Sequence, residues 1–444
     1  MLESVLKAFN IPEVRKRALF TLGAIIVLRI GSWIPVPGVD PAQVQEFIRG
    51  FLGGGVLQFL NMFTGGALKR FSIFAMGVIP YINASIILSL LTAVIPKLKE
   101  LQQQGEEGRK VINKYTRYGT VLLAIIEGFT TSWLIARGGL APLSLSFLLL
   151  SVLTLTTGTM FLMWLGERIT ENGIGRGISM IIMAGIIADY PRYVADFITL
   201  INAGSVNPLW VFPLLAVFVI VVAGVVIIQL GARRVDIQYA RRVVQGRVYG
   251  GHHTYIPIGV NQGGVIPIIF AAAILAVPGT LFQFLGQLPN PPAWLSSWFV
   301  QDLQRGGAIY LTLYALMIIF FTYFYSAIVF DPRDLADNLR KWGGFIAGIR
   351  PGRPTTDYIE KILAKLLLIG ALFLVAISLL PYLIVAVINN PSLSLAFALG
   401  GTSILIVVGV GVDTVKQIEA HMLERYYESF ITKAGGALGR RRAA

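Results

Sequence analysis

Cysteine is absent from this chain of 444 residues, and histidine occurs only three times, as the adjacent His252 and His253 and as His421. Disulfide bonds and thiolate chemistry are therefore excluded, and the histidines are poorly spaced for a metal site. The chain also lacks any Gly-Lys dipeptide, which excludes the phosphate-binding loop of P-loop nucleotide hydrolases. The sequence predicts no catalytic centre, no cofactor and no metal site, and we expect the protein not to be an enzyme.

Charge is also scarce, because charged residues make up 14% of the chain against roughly a quarter in soluble proteins. Hydrophobic residues make up 55%, and the mean hydropathy is +0.71. A helix needs roughly 20 apolar residues to cross a bilayer. Stretches of about that length cover residues 18–36, 71–95, 118–136, 138–166, 207–231, 264–288 and 306–330, with two more inside 366–412. The sequence therefore predicts an all-α polytopic membrane protein.

A tenth span is less obvious, because only twelve uncharged residues separate Arg176 from Asp189. We predict that this span continues past Asp189 toward Leu200, which gives ten spans with both termini on one side. In that arrangement 30 of the 37 lysines and arginines fall on the side of the termini, and six fall on the other. Positive residues mark the cytoplasmic side, so we expect both termini to be cytoplasmic. No cleavage site follows the first span, and we expect it to be retained.

The tetrapeptide Gly-Val-Ile-Pro occurs at residues 77–80 and again at 264–267, in the second and seventh predicted spans. The two copies thus occupy the same place in each half of the chain. Because five is an odd number of spans, the second half would enter the membrane with the opposite orientation. The sequence predicts two inverted five-helix halves, residues 1–203 and 204–444, with a transport path at their interface.

Three segments between spans do not fit simple turns. Residues 53–67 hold a glycine-bracketed apolar piece that is too short to cross; it is either a plug in a cavity or an interfacial helix on the outer surface, and the local sequence leaves both open. Residues 232–263 and 331–365 form cytoplasmic loops that are too long for tight turns. The first predicts an extended hairpin that reverses at Gly250 and Gly251. Arginines in both loops suit contacts with carboxylates or phosphates.

Within the nine long apolar stretches, only Arg29 and Glu127 carry a charge. An ion-coupled transporter is expected to carry ionisable groups near the membrane midplane, whereas an aliphatic midplane favours a wide conduit that is closed by hydrophobic contact. Two alternatives stay open. A secondary transporter would need Arg29 or Glu127 for solute flux, and a scaffold without an aqueous path would conduct no ions in any variant.

Several blocks of sequence are distinctive as an ordered set, and they occupy residues 61–68, 77–84, 158–167, 173–178, 264–267, 348–352 and 401–403. Together they resemble the SecY family, the channel subunits of the bacterial protein translocon, over nearly the whole chain. The resemblance implies a passive protein-conducting channel. It would move unfolded secretory proteins across the plasma (inner) membrane and insert membrane proteins laterally into it.

The resemblance also assigns roles to residues at matching positions. The implied constriction ring consists of Val78, Ile82, Ile178, Ile182, Ile269 and Ile406. The implied plug contains Leu57, Phe59, Leu60, Asn61, Met62 and Phe63. A lateral gate between the second and seventh spans would involve Asn83, Ile87, Glu127 and Val277. The implied cytoplasmic partner-binding residues are Arg241, Arg242, Arg247, Arg333, Arg340 and Arg350.

The partners that the resemblance implies are the SecE and SecG subunits, the SecA motor ATPase, the ribosome, signal peptides, nascent polypeptides and membrane lipids. The chain departs from common family residues at three places. Val78 is smaller than the isoleucine often found there, Ser89 replaces a common glutamine, and Val248 stands where a second arginine often follows Arg247. These departures bear on the tightness of the seal and on the partner contacts of the first loop.

Overall fold

The computed structural model of the chain is predominantly helical. It describes residues 11–51, 63–239, 242–244, 247–249, 253–286, 302, 307–388 and 401–441. The helices of the first part of the chain are α1 Pro12–Gly31, α2 Pro41–Phe51, α3 Ile79–Val94, α4 Pro96–Gln103, α5 Glu106–Arg137, α6 Leu145–Asn172 and α7 Gly177–Asn202. Those that follow are α8 Val211–Leu230, α9 Ile266–Gly286, α10 Ala308–Val329, α11 Pro332–Lys341, α12 Arg353–Ile388 and α13 Thr402–Arg441.

Each of the ten predicted spans overlaps a helix, namely α1, α3, α5 to α10, α12 and α13. The predicted continuation of the fifth span past Asp189 is confirmed, since α7 runs without a break to Asn202. Six described helical stretches are long and apolar enough to cross a membrane by length and composition, and α3 with α4 forms a further pair that is bent by 105°. The predicted class of polytopic helical membrane protein is therefore confirmed.

The second span begins later than its hydropathy predicts. The apolar stretch starts at Phe71, but α3 starts at Ile79. The intervening residues form turns, in which Phe71 itself has a φ of 43° and the amide of Ile73 donates to the carbonyl of Ile34. Hydropathy records only how apolar a segment is, so it cannot separate a helix from irregular backbone that is buried in protein.

The chain forms two compact units, which divide it differently from the predicted halves. The first unit contains residues up to Arg192 together with those from Ile406 onward, and the second contains Tyr193–Leu405. The last helix joins the first unit through a small core in which Val14, Ile174 and Ile418 pack together. A larger core of the first unit lies around the completely buried Phe71 and Leu155.

The second unit carries a small sheet on the two long loops. Strands β1 Ala232–Tyr239, β4 His253–Gly259 and β5 Gly344–Ile346 form it in the order β4-β1-β5 with antiparallel pairing. One face packs against α12 through Val235, Ile258, Ile346, Ile359 and Leu363. The loop that was predicted to cover residues 331–365 is therefore largely structured, and its last part already belongs to α12.

The predicted extended hairpin within the first loop is present. Strands β2 Arg242–Val244 and β3 Arg247–Tyr249 pair in antiparallel fashion, with Val244 opposite Arg247. The chain therefore reverses between Val244 and Arg247, and the predicted reversal at Gly250 and Gly251 is wrong. The alternation of apolar and polar residues correctly predicted strands. The turn was misplaced because two consecutive glycines favour a reversal, and they follow β3 whereas the turn precedes it.

Candidate functional site

Four helices that carry implied ring residues begin just after a glycine with left-handed backbone. Gly77 precedes α3 with φ 56°, Gly175 precedes α7 with φ 90°, Gly264 precedes α9 with φ 58°, and Gly401 precedes α13 with φ 68°. A residue with a side chain would pay about 1–2 kcal/mol for this conformation. A glycine turn therefore sets the start of each of these helices.

The repeated tetrapeptide adopts the same local structure in both copies. The two glycines differ by two degrees in φ, at 56° and 58°. Each proline, Pro80 and Pro267, occupies the second position of its helix, where the missing amide proton costs nothing. The two copies therefore share local structure as well as sequence. The inverted orientation of the two halves stays a prediction.

The ring positions of the first unit are aliphatic and mostly buried. Val78 is 1% exposed, Ile182 4% and Ile406 1%, while Ile82 is half-buried. Ile178 packs against α6, because a Cβ added to Gly166 would lie 2.6 Å from its Cδ1. The sixth position, Ile269, is half-buried in α9 of the second unit. Their assembly into one ring stays a prediction.

The segment after the implied plug is fixed tightly inside the first unit. Leu57, Phe59, Leu60, Asn61 and Met62 lie outside the described residues, and Phe63 is the first that is described, at 5% exposure. The following turn lies directly on α7 and α1.

Two contacts define this turn. A Cβ on Gly65 would lie 2.8 Å from the Cα of Gly185, so the two backbones touch. The guanidinium of Arg29 donates from Nη1 to the carbonyl oxygen of Gly65 over 3.1 Å. The sequence did not identify Gly65 as the partner of Arg29, since no local pattern links residues 36 positions apart. The end of the implied plug is thus anchored to α1 and α7.

Two of the implied gate residues contact each other across adjacent helices. The side-chain amide of Asn83 on α3 donates to a carboxylate oxygen of Glu127 on α5 over 2.9 Å. Ile87, one turn further along α3, is 46% exposed. Val277 belongs to α9 of the second unit. The gate between the second and seventh spans stays a prediction.

The implied partner-binding arginines fall into two groups. Arg241 lies outside the described residues, and Arg242 and Arg247 belong to β2 and β3. Arg333, Arg340 and Arg350 are exposed. Arg340 lies 3.6 Å from Asp337 on the same helix, an exposed pair of small energetic worth. The guanidinium groups of these three arginines are therefore accessible to a partner.

Within the described segments, no cluster of three His, Asp or Glu side chains has the geometry to hold a metal ion.

Comparison with known proteins identifies the family. The SecY family description matches residues 72–415. The chain is 48% identical to the protein translocase subunit SecY of Thermotoga maritima, over 99% of this chain and 100% of that protein. It is 45% identical to the protein translocase subunit SecY of Escherichia coli K12, over 95% of each chain.

Solved structures share the fold. A structure described as that of a protein conducting channel superposes with a TM-score of 0.61 at 18% identity, covering 94% of this chain and 96% of its own. A canine ribosome-channel complex that contains Sec61 superposes with a TM-score of 0.58, also at 18% identity, over 94% of this chain and 96% of its own. From the whole-length identity and the matching family description, the chain belongs to the SecY family.

Proposed function

We propose that the chain is the channel subunit of a protein translocase. It acts as a passive conduit that moves unfolded secretory proteins across the plasma membrane and inserts membrane proteins laterally into it. The observation that carries the proposal is the placement of the ring positions. In the first unit the ring residues at α3 and α7 follow glycine turns and lie beside an anchored turn that continues from the implied plug, and Ile406 is buried in α13. The described spans hold few charges, as expected for a channel that does no chemistry of its own.

The seal is proposed to have two layers. Val78, Ile82, Ile178, Ile182, Ile269 and Ile406 form a ring that excludes water and ions by its apolar surface. The plug, of which Phe63 is the last residue, closes the outer side. The contacts of Gly65 with Gly185 and Arg29 support this second layer, because they hold the end of the plug segment in place.

The orientation is proposed to place both termini in the cytoplasm, from the excess of lysine and arginine on that side. The partners are then proposed to be the SecE and SecG subunits in the membrane, and the SecA motor ATPase or the ribosome at the basic cytoplasmic surface. The partners supply the energy, since the chain has no P-loop. Signal peptides and nascent polypeptides are the cargo.

The proposed lateral gate opens beside α3 and exposes its apolar face to the cargo. A photo-activated amino acid in place of Ile87, which is 46% exposed, should therefore cross-link to the signal peptide of an arrested precursor. The same amino acid at Leu122 of α5, which is 61% exposed, is the control and should cross-link only to lipid. Equal signal-peptide adducts at both positions would place the gate elsewhere, and adducts at neither would remove α3 from it.

Charge reversal at the tip of the second loop tests the proposed partner surface. Arg350→Glu should lower translocation into vesicles at least tenfold, because it replaces a charge-assisted contact with repulsion at an acidic or phosphate-bearing partner. Arg109→Glu reverses a similarly exposed arginine on α5 and should translocate like the wild type. Ion leak should stay low in both. Normal export and ribosome affinity in Arg350→Glu would show that the loop does not bind a partner through Arg350 and that this arginine is only part of the general cytoplasmic charge.

A further inference from the structure

A cluster of charged side chains lies at the end of α1 remote from the amino terminus. Asp189 on α7 is only 7% exposed. Lys69, Arg192, Arg29 and Arg70 all lie close enough to interact electrostatically with its carboxylate. One carboxylate among four cations leaves the cluster with a net positive charge. Five charged side chains therefore lie close together in the first unit, in a protein with few charges.

Two of these cations share one aromatic ring. The guanidinium carbon of Arg70 lies 3.7 Å from the centre of the Trp33 ring, and that of Arg29 lies 5.8 Å from it. The Nη1 atom of Arg70 is buried and has no hydrogen-bond partner. Burial, followed by the repulsion from Arg29, lowers the pKa of Arg70 from its usual value. An anion beside both guanidinium groups would offset that repulsion.

An apolar cavity opens beside Arg29. It has a volume of about 320 Å³ and is lined mainly by aliphatic side chains, among them Ile25 and Leu28 of α1 and Met183 and Ile187 of α7. Ile187 is 43% exposed, so the wall of the cavity reaches the surface of the protein. A cavity with aliphatic walls holds hydrocarbon better than water. A positive site and a hydrocarbon-sized slot thus adjoin at one arginine.

We propose that this site binds an anionic phospholipid, with its phosphate between Arg29 and Arg70 and part of an acyl chain in the cavity beside α7. The charge and the apolar slot together select this ligand. A small phosphate would leave the aliphatic walls without a partner, and an uncharged lipid would leave the four cations with only the carboxylate of Asp189 between them. Under the proposed orientation the lipid belongs to the outer leaflet, opposite the leaflet that the basic cytoplasmic loops face.

Lipid retention by the purified translocase complex tests the proposal. The complex is delipidated, supplied with phosphatidylglycerol or phosphatidylcholine, and examined by native mass spectrometry. We expect one phosphatidylglycerol to be retained under conditions that remove phosphatidylcholine. The double variant Arg29→Gln with Arg70→Gln should weaken that retention about tenfold or more, since it removes both charges that attract the phosphate. Equal retention of both lipids by the wild type would overturn the proposal even if the variant did not fold.

A matched variant controls for general loss of charge. Arg137 at the end of α5 is exposed and also lies over a tryptophan ring, 4.9 Å from the centre of Trp133. Arg137→Gln should retain phosphatidylglycerol like the wild type. A loss equal to that of the double variant would show that retention depends on net charge and not on this site, and would overturn the assignment.

The acyl slot has its own test. Ala184→Leu fills the cavity without touching a charge and should lower phosphatidylglycerol retention severalfold; retention equal to the wild type would contradict the slot. Inorganic phosphate at millimolar concentration should not displace the lipid, and displacement would reassign the site to small anions. A photo-activated amino acid at Ile187 should capture lipid in native membranes. Capture of a protein chain in place of lipid would overturn the proposal.

Discussion

Replacing Ile82, Ile182 and Ile406 together with glycine should raise the resting ion conductance of the reconstituted channel at least tenfold. In the proposed ring these aliphatic side chains keep the constriction dry, so their removal should widen it and expose backbone carbonyl and amide groups to which water can bind. Planar-bilayer recordings of the purified complex, without a translocating substrate, give the conductance directly. Ile182 and Ile406 are 4% and 1% exposed, so the change removes well-packed surface from the first unit.

The same burial makes a control necessary, because core truncation alone destabilises a protein by several kcal/mol. Ile86, Ile181 and Leu405 lie on the same three helices and are 3%, 3% and 1% exposed, but none is an implied ring residue. Their triple glycine variant should lose comparable thermal stability and still conduct no more than the wild type. Equal ion leak in the two triple variants would show that the conductance comes from loose packing. No leak in either variant would contradict the assignment of the ring.

Length and hydropathy predicted the helices well, because a bilayer-crossing helix needs about 20 apolar residues whatever its neighbours are. The predicted span across Asp189 shows the limit of this rule. It was recovered only by counting lysines and arginines on each side, and α7 then proved continuous through that charge. The start of α3 was misplaced by eight residues, since residues 71–78 are as apolar as a helix and yet form turns.

Contacts between distant residues lay beyond the sequence. Asn83 and Glu127 were both assigned to the gate, but their hydrogen bond depends on how α3 packs on α5. The sequence shows that Arg29 lies within a span, but its contact with the carbonyl of Gly65 requires a fold that brings the two residues together. Hydrophobic periodicity predicts which face of a helix is buried, whereas the residue that a side chain contacts depends on how the helices pack. The glycine turns were partly visible, because the repeated tetrapeptide marks two of them.

The close contact between Gly65 and Gly185 should be intolerant of a single methyl group. Gly185 lies inside α7, where alanine is normally favoured over glycine by about 1 kcal/mol. A Cβ there would lie 3.2 Å from both the amide nitrogen of Gly65 and the carbonyl oxygen of Phe63, which is closer than most Cβ contacts, and these backbone atoms cannot rotate away. Gly185→Ala should therefore lower the melting temperature of the purified complex, against the helix propensity, and raise the resting leak because the plug segment can no longer seat.

Gly65→Ala tests the contact from the other side. Gly105→Ala is its control, because it carries backbone strain without a steric clash. Both glycines have a positive φ, 60° and 75°, which residues with a side chain rarely adopt, so each substitution strains the backbone. A Cβ on Gly105 meets no atom within 4 Å, whereas a Cβ on Gly65 would lie 2.8 Å from the Cα of Gly185. We expect both variants to melt earlier than the wild type, and only Gly65→Ala to leak ions. If Gly185→Ala melts later than the wild type, and Gly65→Ala behaves like Gly105→Ala, then the turn after the plug does not rest on α7 in the membrane.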